Sequence, residues 1–296
     1  MDLNMTDMQI AWPAELVLGE GPLWHAGSGK FYFVDVQGRA IHAWSPTTLE
    51  RESWKTPERI GWIIPRTDGD GFMVGMQSGF YRAWFEPALR LEAVGCPHAG
   101  QPDVRLNDAK ADPSGRIWAG SMNNRDVKRT DGQLTRLDAD GTFTVVERDI
   151  HIANGPAIAL DGTWMLHNDS FLDTTYRYRI TPDGQLTDKA VWRKFSAAEG
   201  TPDGMTLDAD GNVWIAFWGG ACIRQFNPAA ELLRQIDLPA TQITSMAFGG
   251  EHLDLIFITS ARVGLCAEAL AQHPQAGSVF LIRPGVHGEL PCTYGT

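Results

Sequence analysis

Short apolar runs alternate with turns rich in Asp and Gly along the whole chain, and no long segment keeps a helical spacing. The clearest instance is Gly200 to Gly220. A strand-like run from Met205 meets an Asp208-Ala209-Asp210-Gly211 turn, and Val213 to Phe217 returns before Trp218-Gly219-Gly220. Strand, tight turn and return strand make a β-hairpin. Diluted copies of this grammar recur, with return strands beginning near Phe31, Phe72, Ile117, Trp164, Val213 and Leu255. The spacings are 41, 45, 47, 49 and 42 residues. Four short strands at a period of roughly 40–50 residues are what a propeller blade requires. The expectation is therefore an all-β chain: a six-bladed β-propeller with four antiparallel strands per blade, forming a single domain over residues 1–296. The ring must close, so the run Gln9 to Trp12 is expected to add a strand to the last blade and leave no edge there.

In a propeller the first strand of each blade lines the central channel. The equivalent inner-strand point holds Glu20, Gly61, Asn107, Asn154, Asp203 and Thr244, spaced by 41, 46, 47, 49 and 41 residues. Carboxylates and amides at four of these points are costly to bury without partners. Such a set persists if it is wet or holds a cation. Oxygen ligands from Glu, Asn and Asp suit a hard divalent cation such as Ca²⁺, Mg²⁺ or Mn²⁺, with Fe²⁺ not distinguished. No Cys or His occupies these points, which disfavours zinc. Arg105 lies two residues from Asn107, hence on the same side of a strand. The Pro202-Asp203-Gly204 triplet starts an inner strand, whereas Pro182-Asp183-Gly184 lies between outer strands and reads as a plain turn. The turns at Asp138 and Asp208 lack the downstream Glu of a calcium-binding helix–loop–helix and read as hairpin turns. His151 and His167 lie near the fourth unit's inner strands; a satisfied structural role is expected of each, with substrate contact as the alternative.

Composition narrows the classes of partner. The net charge is -11 with no Lys/Arg block, which argues against nucleic acid and anionic membranes. The N-terminus shows no signal-peptide pattern and no run is long enough to cross a bilayer. The four cysteines, Cys96, Cys222, Cys266 and Cys292, form no C-x-x-C and read as reduced thiols of a cytoplasmic protein. A monomer is the default expectation.

Four blocks, L-G-E-G-P-x-W from Leu18, R-x-N-D-x-K-x-D-P-x-G-R-x-W-x-G-S-M from Arg105, N-G-P from Asn154 and T-P-D-G-M-x-x-D-x-x-G-x-x-W-x-A-x-W-G-G from Thr201, resemble the regucalcin/gluconolactonase (senescence marker protein) family. The resemblance spans nearly the whole chain in order. It implies a six-bladed propeller with one divalent metal in its channel, and hydrolysis of sugar lactones to aldonic acids. It places the metal ligands at Glu20, Asn154 and Asp203 and substrate contacts at Arg105 and Asn107. In the family, acidic residues often follow the G-[ST]-M turn. Here Asn123-Asn124-Arg125 follow Met122, so amides and a cation replace the carboxylate and substrate preference stays open.

The expected reaction has the metal polarise the lactone carbonyl, with Asp203 deprotonating the attacking water. Arg105 and Asn107 are expected to hold sugar hydroxyls and the emerging carboxylate, and Trp62 and Trp218 to pack on the sugar's C–H face. The alternatives are a metal-dependent aryl-ester or phosphotriester hydrolase, and a non-catalytic calcium-binding propeller.

Overall fold

The computed structural model describes residues 8–295. Six four-stranded antiparallel sheets form a ring, the six-bladed β-propeller. The inner strands are Gly19–His25, Ile60–Pro65, Val104–Ala111, Ala153–Ile158, Thr201–Leu207 and Ile243–Gly249. Their return strands begin at Lys30, Phe72, Ile117, Trp164, Val213 and Leu255, so the repeat read from the turns is the blade repeat to within one residue.

The ring closes as expected. Gln9–Trp12 pairs antiparallel with Val279–Ile282 and completes the sixth sheet, so the outermost strand of the last blade comes from the start of the chain. The seam is also packed: Phe31 of the first blade stacks on Phe257 of the sixth at 4.7 Å between ring centres. Pairs of this kind contribute about 0.5–1.5 kcal/mol beyond their buried area. The core is divided into six apolar clusters, each shared by two neighbouring blades. One such cluster joins Trp62, Met73 and Phe80 of the second blade to Leu106, Ile117 and Leu137 of the third.

The Asp/Gly turns are fixed by their own side chains. Asp208 Oδ1 accepts from the backbone N–H of Asp210 and Asn212, while Oδ2 accepts from the indole N–H of Trp214 at 2.9 Å. Asp112 repeats the device with Ser114, Arg116 and Trp118. These are hairpin turns, as are those at Asp138 and Asp183, where Gly141 N–H donates to Asp138 O and Gly184 N–H to Thr181 O.

Every inner strand carries a register irregularity at the repeat point: between Glu20 and Leu23, Ile60 and Trp62, Leu106 and Ala109, Asn154 and Ala157, Pro202 and Met205, and Ile243 and Ser245. A bulge of this kind breaks the alternation of faces and re-aims a side chain. In four of the six blades the residue at this point, Glu20, Asn107, Asn154 or Asp203, borders one cavity.

The opposite end of the channel is crossed by the segment after Ile282. Ala209 N–H donates to His287 O, Tyr294 exchanges backbone hydrogen bonds with Pro65 and Thr67, and Gly295 N–H donates to Gly115 O. Leu290, Pro291 and Cys292 line a small chamber with Trp62, Pro22 and Met205. The C-terminal segment thereby covers that end. Among the described residues, no helix is long and apolar enough to cross a membrane.

Candidate active site

At the other end, where the inner strands begin, a cavity of about 360 Å³ is bordered by Glu20, Arg105, Asn107, Asn154, Asp203 and Trp218. Six of the seven expected site residues, drawn from four blades, therefore meet in one place. Trp62 does not. It is 1% exposed, lies edge-on to Phe80 at 5.2 Å and borders the chamber at the far end. The reason is steric: the ring lies over Gly75, where an added Cβ would meet the indole at 2.1 Å. The bulge at Gly61 turns the next residue into the seam between blades rather than into the channel.

A continuous chain of hydrogen bonds organises the cavity. Arg105 Nη1 donates to Asn107 Oδ1 at 2.7 Å and to Leu106 O at 3.0 Å. Asn107 Nδ2 donates to Asn154 Oδ1 at 2.6 Å and to Ala153 O at 2.8 Å. Asn154 Nδ2 donates to Ser170 Oγ at 2.9 Å, and Ser170 Oγ donates to Pro202 O at 2.7 Å. Asn168 Nδ2 donates to Asp203 O at 2.6 Å. The third, fourth and fifth blades are thus linked through their inner strands. Asn107, expected to touch substrate, has both N–H groups engaged within the protein. Its visible task is to hold Arg105 and Asn154 in register.

The carboxylates are less well served. Asp203 Oδ1 is buried and accepts from no donor among the described residues. Glu20 has the backbone N–H of Gly21 at 3.2 Å. Burial pushes Glu20 up to about 8, with the Asp108 charge adding to the shift and Arg105 opposing it. Burial, then the charges of Glu20 and Asp108, hold Asp203 well above the usual carboxylate range. Asp108 is raised by burial too, but accepts from Ala109 N–H at 2.8 Å and Gly155 N–H at 3.1 Å. It is a structural acid that ties the third blade to the fourth. Arg105 is lowered to about 10, chiefly by burial, and stays charged at neutral pH.

Two buried carboxylates and an amide oxygen around one cavity, one carboxylate oxygen without a donor, form an incomplete electrostatic arrangement. Arg105 offsets part of this negative charge, and a bound cation would offset the rest. The candidate donors are all oxygen, which would fit a hard divalent cation. The remaining repeat points do not contribute ligands. Thr244 donates to Gly19 O at 2.6 Å, and a Cβ on Gly61 would meet Asn107 O at 2.3 Å.

Several wall residues carried no sequence signal. Ser170, Phe171 and Asp173 come from the connection after Trp164–Asp169, and Ile152 precedes the fourth inner strand, while Leu18, Met122 and Thr201, which belong to the motif blocks, complete the wall. His151 stays outside it, bonded to Asp169 at 2.9 Å and stacked on Phe171. His167 is buried in the fourth blade, and burial lowers it to about 4. Neither borders the cavity, and His167 Nε2 is buried without a partner among the described residues. Asn124 supports the site: its Oδ1 accepts from Arg105 Nε at 3.0 Å.

Comparison with known proteins agrees with the fold. The family model described as the SMP-30/gluconolactonase/LRE-like region matches residues 18–262. A 6-deoxy-6-sulfogluconolactonase of Pseudomonas putida is 35% identical, over 92% of this chain and 93% of its own. The regucalcin of Danio rerio is 33% identical over 94% of both. Among solved structures, a luciferin-regenerating enzyme superposes with a TM-score of 0.91 at 29% identity, covering 98% of this chain and all of that one.

Proposed function

Since the chain belongs to the SMP-30/gluconolactonase/LRE-like family, we propose that it hydrolyses the ring ester of a sugar lactone to the open aldonic acid. The observation that carries the reading is the meeting of Glu20, Asn154 and Asp203 with Arg105 in one cavity, together with a 35% identical relative named for a sugar lactone. Glu20, Asn154 and Asp203 are the residues that would hold one divalent cation. Bound there, it would supply Lewis-acid polarisation of a carbonyl and a lowered pKa for water.

The chain's own residues have the following parts. Asp203 takes a proton from the attacking water; a carboxylate that also holds the cation is a weak base, so the water's own pKa must be lowered as well. The water oxygen bonds to the lactone carbonyl carbon. The ring C–O bond then breaks, and the ring oxygen leaves as a hydroxyl with the proton returned by Asp203. Arg105, which stays charged, holds the sugar and then the carboxylate that appears. Asn107 keeps the guanidinium and the Asn154 amide in place. Trp218 borders the cavity and offers an apolar face to the sugar's C–H groups. The protein is proposed to act in the cytoplasm as a monomer.

The test is acid release from a panel of aldonolactones by chelator-treated protein, with and without each of Ca²⁺, Mg²⁺ and Mn²⁺, after subtraction of spontaneous hydrolysis. The reading expects metal-dependent acceleration that Asp203→Asn reduces by roughly 10²–10⁴-fold while the fold persists. Hydrolysis of a phosphotriester or aryl ester in place of every lactone would move the protein to the esterase reading. Metal binding without any hydrolysis would leave a binding protein.

A further inference from the structure

Phe171 is the most exposed large apolar side chain on the cavity wall, yet it is held in place. It is 39% exposed, whereas Met122 is buried and Leu18, Ile152 and Trp218 are half-buried. It lies at the centre of the short 3-10 turn Ser170–Leu172, and its ring stacks on that of His151 at 4.7 Å between centres and 20° between planes. His151 is fixed in turn. Its Nδ1–H donates to Asp169 Oδ2 at 2.9 Å, and the backbone N–H groups of His151 and Ile152 donate to the same buried carboxylate at 3.2 and 3.4 Å. The turn is pinned at both ends. Ser170 N–H donates to Ile152 O at 3.0 Å and Ser170 Oγ to Pro202 O at 2.7 Å. Beyond the ring, Asp173 N–H donates to Ser170 O at 3.1 Å, Thr201 Oγ1 to Asp173 Oδ1 at 2.9 Å and Phe195 N–H to Asp173 O at 2.8 Å.

A ligand cavity sets an apolar wall against a few oriented polar groups. Here the polar groups that meet the reacting end are Glu20, Asn154, Asp203 and Arg105. Along the rim from the fourth and fifth blades the side-chain donors are spent: Asn154 Nδ2 on Ser170, Ser170 Oγ on Pro202 and Thr201 Oγ1 on Asp173. Asp173 offers an acceptor and no donor. The exocyclic carbon is the part of an aldonolactone that projects furthest beyond its ring. With the carbonyl among the buried carboxylates, that carbon reaches the rim and meets Phe171. A hydroxyl pressed on the phenyl ring gives up water and gains no partner, whereas a methyl group leaves water favourably. A ring fixed in advance loses little freedom on contact. His151 does not border the cavity, so it acts through Phe171, by occupying the rear face of the ring.

Resting on the lactonase reading, we infer that Phe171 is a specificity-determining residue, with His151 and Asp169 as the positioning pair behind it, and that it selects lactones ending in a methyl group over those ending in a hydroxymethyl group.

The experiment compares kcat/KM for matched lactones that differ only at this end, fucono- against galactono-lactone and rhamnono- against mannono-lactone. It uses wild type, Phe171→Ala, His151→Ala, His151→Phe and His151→Asn, each checked by its thermal midpoint. The wild type is expected to favour the methyl lactone roughly ten-fold. Phe171→Ala is expected to bring the ratio near one through KM, with kcat changed by about two-fold or less. His151→Ala is expected to lower the ratio part of the way. His151→Phe, which keeps a ring behind Phe171, is expected to restore it better than His151→Asn, which keeps only a donor for Asp169. A parallel thermal-shift titration with the ring-opened acids of the same pairs reads binding without turnover. Hydrolysis with a ratio near one in the wild type, or a ratio unmoved by Phe171→Ala, overturns the role of Phe171 and leaves the lactonase reading standing. A ratio moved by Phe171→Ala and by no His151 variant overturns the positioning pair alone. No hydrolysis of any lactone, with tighter binding of the methyl-ended acids that Phe171→Ala abolishes, overturns the lactonase reading and keeps the role of Phe171. No hydrolysis and no such difference in binding overturns both.

Discussion

Asn107 and Asn154, 47 residues apart in the chain, share a hydrogen bond of 2.6 Å across the seam between the third and fourth blades. The bond decides which way the Asn154 amide faces. Its Nδ2 is directed at Ser170, so Oδ1 is the atom presented on the side of Asn107 and the cavity. One amide on the neighbouring blade thus prepares a candidate cation ligand, and it does so through a residue that also anchors Arg105.

Ser170 is the other half of that clamp. Ser170→Ala removes the acceptor of Asn154 Nδ2 and the donor to Pro202 O, freeing the amide to turn. Metal affinity, read by calorimetry on chelator-treated protein, is expected to fall roughly 10–100-fold, as for other residues that orient a ligand. An affinity equal to wild type would show that Asn154 needs no such support.

The acid groups predict a pH dependence whose sign depends on metal. Glu20 moves from its ordinary 4.5 to about 8 in the metal-free fold, so the folded state binds the proton more tightly than the unfolded chain. Its stabilising contribution is present below pH 4.5 and is lost as pH rises through about 8. Metal must displace that proton, so the thermal shift produced by a divalent cation is expected to grow across the same window. Melting curves with chelator and with cation at pH 6, 7, 8 and 9 check both trends. Parallel pH profiles would remove Glu20 from the ligand set.

The two tryptophans separate in their effects. Trp62→Ala opens a hole in the second blade's seam and is expected to cost about 3–5 kcal/mol of stability. Trp218→Ala, half-buried at the cavity wall, is expected to raise KM with stability changed by about 0.5 kcal/mol or less. Denaturant unfolding and steady-state kinetics on both variants make the comparison. A KM effect for Trp62 larger than that for Trp218 would reverse the assignment.

Gly61 is required by its neighbour. An added Cβ would meet the backbone O of Asn107 at 2.3 Å, so Gly61→Ala pushes the third inner strand away from the second. The expected loss is about 1–3 kcal/mol, with weaker metal binding because Asn107 orients Asn154. A variant that folds with wild-type stability and metal affinity would show that the strands give way freely.

The sequence by itself determined the repeat, the blade number and the height of the site. Alternation and Asp/Gly turns are local, and the blade period is set by four strands and their turns, so both are written in order along the chain. The same periodicity singled out Glu20, Asn107, Asn154 and Asp203, because the start of an inner strand has one place in a propeller. Tertiary structure decided which neighbours of those points face the channel. The bulge at each repeat point breaks strand alternation, which is why Trp62 turned into a seam over Gly75 while Trp218 reached the cavity wall. It also set Asn124 on the guanidinium of Arg105 and brought in Ser170, Phe171 and Asp173, which sit on a connection with no motif. Contacts of that kind exist only once the ring has closed, because they depend on how adjacent blades pack and not on the order of residues within either one.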